Sequence, residues 1–174
     1  AIASLDVIKD ESGYTDTHGY YLASLHEKNN NRDEAREIVK KMLVKNPDDA
    51  HALNFIGYSY LEEGKDLDKA YEYIKKAVAL SPADGYIRDS LAWYYYKKGE
   101  YKLALEEIHK AWSNVSEDMV INKHMAMIYA KLNEFELAKK FYTKALENCN
   151  VLAEKEKIQK ALSELSEDRL PASQ

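Results

Sequence analysis

The stretch from Ala50 to Pro82 places the tightest constraint on the fold, because apolar side chains recur there at helical offsets. Leu53, Ile56 and Tyr60 are spaced three and four residues apart, so they share one face of a helix. A second apolar run centred on Ile74 follows after a break. The spacing therefore predicts two helices joined by a short turn.

Small residues and helix breakers fit the same interpretation. Gly57 and Ala70 are small where the two helix backbones are expected to approach closely, and a larger side chain there would cost about 1–3 kcal/mol. Gly64 follows the first helix and suits the left-handed conformation of a C-terminal cap. Pro82 ends the second helix. The stretch is predicted to form a helical hairpin.

The hairpin pattern recurs in phase along the chain. Leu22 with Ala23, and Leu91 with Ala92, repeat the apolar and small residues of the central unit, while His26 replaces the usual tyrosine in the first one. The register divides the chain into a second helix of a truncated repeat plus turn, four repeats, a capping helix and a flexible tail: 1–15, 16–49, 50–84, 85–118, 119–152, 153–168 and 169–174.

One connection departs from the pattern. Ser116 stands where a proline would end the third unit, and it is predicted to be the N-cap of the next helix, followed by acidic residues in the first turn.

Composition supports an all-helical protein and argues against two function classes. Three prolines and six glycines in 174 residues leave long uninterrupted helices, and 45% hydrophobic with 32% charged residues is typical of a globular chain. The net charge of −5 argues against a nucleic-acid binder. No apolar run approaches the roughly 20 residues of a membrane span, so we expect no membrane insertion.

These units resemble tetratricopeptide repeats, whose period is about 34 residues. The resemblance implies an all-α, right-handed superhelical solenoid of antiparallel helix pairs with a C-terminal capping helix. Residues 85–101 also resemble the C-terminal repeats of tetratricopeptide lipoproteins of Gram-negative envelopes, which act as adaptors. This suggests a bacterial protein and leaves the compartment open between cytoplasm and periplasm or outer membrane.

The resemblance also implies a binding surface. In this family the first helix of each hairpin lines a concave groove, with positions two, five, nine and twelve pointing into it. Tyr58, Trp93 and Tyr96 are expected to be exposed there, because other residues fill the core face of their helices. The candidate peptide- or partner-binding residues are Tyr20, His51, Asn54, Tyr58, Tyr86, Asp89, Trp93, Tyr96, Lys123 and Met127.

A tyrosine at helical spacing is more often core than binding site, and Tyr60, Tyr95 and Tyr129 are assigned to the core. Some family members capture an acidic C-terminal peptide with a basic residue at position five and asparagine at position nine. No unit here has that pair, so a peptide of mixed apolar and polar character is expected instead.

We find no signature of catalysis. The five histidines form no H-E-x-x-H motif, the six glycines form no phosphate-binding loop, and Cys149 has no histidine nearby in sequence. The chain is predicted to be a non-enzyme without cofactor or metal.

The predicted function is a protein–protein interaction scaffold or adaptor that binds a peptide or partner helix in the groove. The alternative is a self-associating assembly module, a dimer or oligomer formed through the unpaired N-terminal helix, with Ile2, Leu5 and Ile8, or through the C-terminal tail. The sequence leaves the partner's identity and orientation open.

Overall fold

The computed structural model describes residues 16–167, and this part of the chain is entirely helical apart from its turns. Its nine helices are α1 Asp16–Lys28, α2 Arg32–Lys45, α3 Ala50–Glu63, α4 Leu67–Leu80, α5 Gly85–Lys97, α6 Tyr101–Asn114, α7 Met119–Lys131, α8 Phe135–Glu147 and α9 Leu152–Glu167. The predicted fold class, an all-α helical repeat, is confirmed.

The first eight helices pack as consecutive pairs, and α9 packs on α8. The first helix of each pair begins at Asp16, Ala50, Gly85 or Met119, the residues that open the periodic units. The extents of the repeats themselves stay a prediction.

Aspartate caps explain where three first helices begin. Asp49 accepts a hydrogen bond from the Ala52 amide at 3.0 Å, and Asp84 accepts one from the Ile87 amide at 3.0 Å. Each carboxylate satisfies amides that lack a partner within the helix and lies at its positive end. Gly64 has the expected left-handed backbone, with φ of 69°, after α3.

The predicted N-cap of α7 is wrong. Asp118, not Ser116, accepts hydrogen bonds from the amides of Val120 at 2.8 Å and Ile121 at 3.0 Å. The Ser116 hydroxyl donates to Glu117 at 3.2 Å instead. A charged acceptor next to the first turn outcompetes a hydroxyl two residues further away.

Small residues allow the helix pairs to approach as expected. A Cβ atom added to Gly57 would lie 2.7 Å from Cγ1 of Ile74 and 3.0 Å from the carbonyl oxygen of Ala70. Ala92 and Ala104 are fully buried in one hydrophobic cluster. The close contact predicted at Gly57 is therefore present.

The chain divides into two compact units, residues 1–82 and 83–174. The first has a core cluster built on α1 to α4, with Val39 and Ile56 fully buried. The second has a larger cluster that includes Ile158 of α9, with Leu162 and Leu165 packed against it. In the second unit α9 therefore covers apolar surface, as a capping helix does.

The expected truncated helix in 1–15 and the expected tail in 169–174 lie outside the described residues, so self-association through them stays a prediction. None of the helices between residues 16 and 167 combines the length and hydropathy of a membrane span.

Candidate functional site

The candidate residues are divided between the two units. We define the α5–α7 face as the predicted binding side chains of the second unit, and the α1–α3 face as those of the first. The α5–α7 face comprises Tyr86, Asp89, Trp93, Tyr96, Lys123 and Met127, and the α1–α3 face comprises Tyr20, His51, Asn54 and Tyr58.

A stack of three rings lies at the centre of the α5–α7 face. The ring centroids of Trp93 and Tyr96 are 4.7 Å apart with an interplanar angle of 7°. His124 stacks on Trp93 at 4.2 Å and 8°. The Lys97 ammonium lies 5.1 Å from the centroid of the indole ring. Parallel rings and a cation over the indole stabilise one another and fix the indole.

A buried polar contact holds the stack in place. Nδ1 of His124 and Oδ1 of Asp89 are 2.8 Å apart, and the two residues are only 3% and 6% exposed. Because Asp89 lies on α5 and His124 on α7, this contact joins the two first helices of the second unit. It also satisfies a carboxylate that would be costly to bury alone.

The expected exposure of Trp93 is wrong. Trp93 is only 7% exposed because Tyr96 and His124 take up its ring surface. Asp89 is also buried instead of lining the surface. Both residues are buried members of the α5–α7 face.

The outer part of the face is formed by other candidates. Tyr86 is 54% exposed, and Tyr96 and Met127 are half-buried against the core. Nζ of Lys123 lies 3.2 Å from Oε2 of Glu154 on α9, which ties the face to the capping helix. The hydrogen bond from Lys157 and then the charge of Lys123 lower the pKa of Glu154, although burial opposes them.

Burial dominates the titration of the tyrosines beside this face. It raises the pKa of Tyr96, with a further contribution from Tyr101. Burial also raises the pKa of Tyr142 to about 12, with smaller contributions from Tyr96 and Glu164. These hydroxyls stay protonated at neutral pH, so they can donate hydrogen bonds.

On the α1–α3 face, His51 is exposed while Asn54 and Tyr58 are half-buried. Oδ1 of Asn54 is buried without a hydrogen-bond partner among residues 16–167. Burial, followed by a hydrogen bond to the Asp49 carboxylate and by its charge, raises the pKa of Tyr20. Among the described residues, the acceptor of Asn54 is therefore unused.

The tyrosines assigned to the core lie against it. Tyr129 is 8% exposed and its hydroxyl is 3.0 Å from Nε2 of His109, while Tyr60 and Tyr95 are half-buried and pack on the two core clusters.

A polar network in the first unit was not predicted. Arg36 of α2 is 3% exposed, donates to the Ser59 hydroxyl at 3.1 Å and pairs with Glu63 at 2.9 Å. Its guanidinium lies 4.5 Å from the centroid of the Tyr60 ring, and Ser59 donates in turn to Glu27 of α1. The network joins three helices. The sequence did contain a signal for this network, because Arg36 directly follows Ala35 on the buried side of α2.

His124 was also missed as part of the site. It was considered only as a metal ligand, and the described residues bring no three His, Cys, Asp or Glu side chains together in that way. The available signal was its separation of 35 residues from Asp89, about one repeat period, which places the two on neighbouring first helices.

Two family models described as tetratricopeptide repeat match residues 20–85 and 124–150, more than half of the chain between them. The chain belongs to the tetratricopeptide repeat family. Proteins of this family are generally non-enzymatic scaffolds, and the fold supports a role in protein–protein interaction. Comparison with curated proteins gives no match. The resemblance to bacterial envelope lipoproteins stays a prediction.

Solved structures show the same fold at low sequence identity. TTC0263, a thermophilic tetratricopeptide repeat protein of Thermus thermophilus, has a TM-score of 0.77 and 17% identity, covering 95% of this chain and 88% of its own. MamA AMB-1 has a TM-score of 0.61 and 19% identity, covering 85% and 87%. The first tetratricopeptide repeat domain of Spaghetti (RPAP3), bound to the HSP90 peptide SRMEEVD, has a TM-score of 0.60 and 20% identity, covering 68% and 91%.

Proposed function

We propose that this tetratricopeptide repeat protein is a non-catalytic adaptor that binds a peptide or partner helix on the α5–α7 face. The observation that carries the proposal is the stack of Tyr96, Trp93 and His124, fixed by Asp89. A surface built on a rigid stack loses little conformational entropy when a ligand binds.

The outer side chains of this face have the chemistry of a binding site. Tyr86 is 54% exposed, and Tyr96 and Met127 keep part of their surface in solvent. Aromatic anchors dominate the energy of protein interfaces, and methionine adapts its shape to different apolar ligands. Lys123 and Glu154 add one charge of each sign at the edge. We expect a ligand of mixed apolar and polar character with a Kd near micromolar. This affinity corresponds to a binding free energy of about −8 kcal/mol.

The Spaghetti complex supports peptide binding by this fold. It does not support an acidic peptide as the ligand of this chain. The clamp for acidic C-terminal peptides needs a basic residue at position five and asparagine at position nine. In the second unit these positions hold Asp89 with Trp93, and Lys123 with Met127. Asp89 is also engaged by His124, so this unit offers no such clamp.

The test begins with capture of partners from the source lysate, identification by mass spectrometry and measurement of the affinity by calorimetry. Tyr86→Ala and Met127→Ala are expected to weaken binding about 5-fold or more while the melting temperature changes little. Thr143→Ala, an exposed position on α8, is the matched control. Trp93→Ala should lower the melting temperature, because the indole is buried.

Equal affinity for wild type, Tyr86→Ala and Met127→Ala would contradict the assignment of this face. Weaker binding by Thr143→Ala to the same extent would place the contact on α8 instead.

A further inference from the structure

The buried pair of Asp89 and His124 leaves one ring nitrogen of the histidine unused. Nδ1 of His124 lies 2.8 Å from Oδ1 of Asp89, and both residues are more than nine-tenths buried. An ionised carboxylate only accepts hydrogen bonds, so Nδ1 carries the hydrogen of this bond. In the neutral ring, the other nitrogen, Nε2, then has a lone pair and no hydrogen.

The described part of the chain supplies no donor to this lone pair. Among residues 16–167, the polar and ring contacts of His124 are the bond through Nδ1 and the stacking on Trp93. Nε2 of His124 is not enclosed as the unpartnered Nδ1 of His26 is, so its edge of the ring reaches the surface. A buried imidazole therefore presents one free acceptor atom to solvent.

The ring that carries this acceptor is held in one orientation. Its bond to Asp89 would break if the ring turned over, and the indole of Trp93 covers one of its faces at 4.2 Å. Tyr96 in turn stacks on Trp93 at 4.7 Å, which limits the movement of the indole. An acceptor fixed in this way binds a donor with little loss of conformational entropy.

The exposed residues of the α5–α7 face lie on the same helix faces as this pair. Met127 follows His124 by three residues on α7, and Tyr86 precedes Asp89 by three residues on α5. Tyr86 is 54% exposed and Met127 is half-buried. The acceptor therefore belongs to a surface that is otherwise aromatic and apolar.

The charge beside the stack selects against a cationic donor. The Lys97 ammonium lies 5.1 Å from the centroid of the Trp93 indole, and it forms no ion pair with a residue in the range 16–167. It would repel an ammonium or guanidinium group but not a neutral N–H or O–H group. Tyrosine and methionine side chains favour a flat ring as their ligand. An aromatic ring with a neutral donor meets both conditions.

We propose that Nε2 of His124 selects the ligand of the α5–α7 face by accepting a hydrogen bond from a tryptophan indole N–H or a tyrosine O–H of the partner. Asp89 is the positioning residue, since it holds the hydrogen of the imidazole on Nδ1 and keeps Nε2 free to accept. The assignment rests on the adaptor function proposed above and names the side chain that the face prefers.

The nitrogen chemical shifts of the histidine rings test the acceptor directly, in the ¹⁵N-labelled 174-residue chain at pH 8. We expect the ring of His124 to have a protonated Nδ1 and an unprotonated Nε2. The two signals are identified by their loss in His124→Phe. A protonated Nε2, in the opposite tautomer or in the charged ring, would overturn the proposal.

N-acetyltryptophan amide and its derivative methylated on the indole nitrogen provide the ligand test, each added at millimolar concentrations. The two probes share the same ring, but only the first has an indole N–H. N-acetyltryptophan amide should shift the Nε2 signal of His124 in a saturable way, with an affinity about 3-fold or more above that of the methylated probe. Equal affinities, or no shift with either probe, would contradict an acceptor role for Nε2.

Two variants assign the preference to this ring. His124→Phe keeps a ring beside Trp93 but has no acceptor, so it should bind both probes equally, as followed by the backbone amide signals of Tyr86 and Met127. His51→Phe, at an exposed position on α3, is the control and should keep the wild-type preference. A preference that persists in His124→Phe, or is lost in His51→Phe, would overturn the proposal.

The wild-type chain discriminates between the two probes by itself, so the result does not depend on the folding of His124→Phe. The adaptor function is tested separately, by partner capture and by Tyr86→Ala. Weaker partner binding by Tyr86→Ala together with equal binding of the two probes would retain the adaptor function and refute only the role of Nε2.

Discussion

At the scale of single residues, close contacts between helices decide which side chains are tolerated. Gly57 lies in a close contact between α3 and α4. The nearest atoms to its missing Cβ belong to the Ile74 side chain and to the backbone of Ala70, at 2.7 and 3.0 Å. A backbone carbonyl inside a helix cannot move aside as a flexible side chain can.

Gly57→Ala is therefore expected to destabilise the protein by about 1–3 kcal/mol despite the higher helix propensity of alanine, because α3 and α4 must separate. Urea unfolding followed by circular dichroism measures the change. Glu72→Ala on α4, an exposed position in the same helix pair, is the control and should stay within about 0.5 kcal/mol of wild type. Equal stability of Gly57→Ala and wild type would mean that the helices are not in tight contact there.

Residue spacing predicts contacts of this kind because only small side chains fit them. It does not predict the burial of the Asp89–His124 pair, since the separation of one repeat period places the two residues on neighbouring first helices but aspartate usually lies on the surface. The exposure expected for Trp93 is wrong for a related reason. A ring at a surface position of its own helix can still be covered by a side chain of the next first helix, here His124.

At the scale of helices, the pairs are held by apolar contacts and the ends by polar ones. Aspartates at 49, 84 and 118 cap three of the first helices. On the last pair, α9 covers the apolar surface of α8, and Tyr142 of α8 is 7% exposed in this cluster. Its hydroxyl is held protonated by burial and by the nearby Glu164 of α9.

This contact predicts a loss of stability in alkali. Burial raises the pKa of Tyr142 to about 12, from an unfolded value near 10. The contribution of the protonated hydroxyl to the free energy of unfolding is therefore complete below pH 10 and is lost as pH rises toward 12. At pH 11, ionisation of Tyr142 in the unfolded chain should lower the free energy of unfolding by about 1 kcal/mol. This value is reduced to allow for the partial contact of the hydroxyl with solvent.

Urea unfolding at pH 8 and pH 11 measures this effect. Between the two pH values, the free energy of unfolding of Tyr142→Phe should fall by about 1 kcal/mol less than that of wild type, since phenylalanine cannot ionise. Tyr86→Phe, at a position that is 54% exposed, should behave as wild type does. An identical loss in all three proteins would contradict a buried hydroxyl at Tyr142.

At the scale of the whole molecule, the sequence allowed the fold class and the helix pairs to be predicted because one pattern recurs in phase through the chain. The division into two compact units was not predicted, since the small and apolar residues recur in the same way on both sides of Pro82. The candidate binding residues stay a prediction, and the sequence could not show which of them keep exposed surface, because side chains of neighbouring helices decide this.

The net charge of −5 predicts how these 174 residues behave toward polyanions. Binding to a phosphate or sulfate polymer requires an extended basic surface, and the lysines of this protein are interspersed with carboxylates such as Glu107, Glu117 and Glu154. We expect no retention on heparin resin above about 50 mM salt at roughly neutral pH. A salt-dependent elution well above that concentration would favour a nucleic-acid partner.

Both tryptophans, Trp93 and Trp112, lie in the second unit, and the first unit has none. Intrinsic indole emission thus reports on residues 83–174 alone, whereas far-ultraviolet dichroism records every helix. Recording both signals in a single denaturation shows whether the two halves melt together or one after the other, without any label attached to the protein.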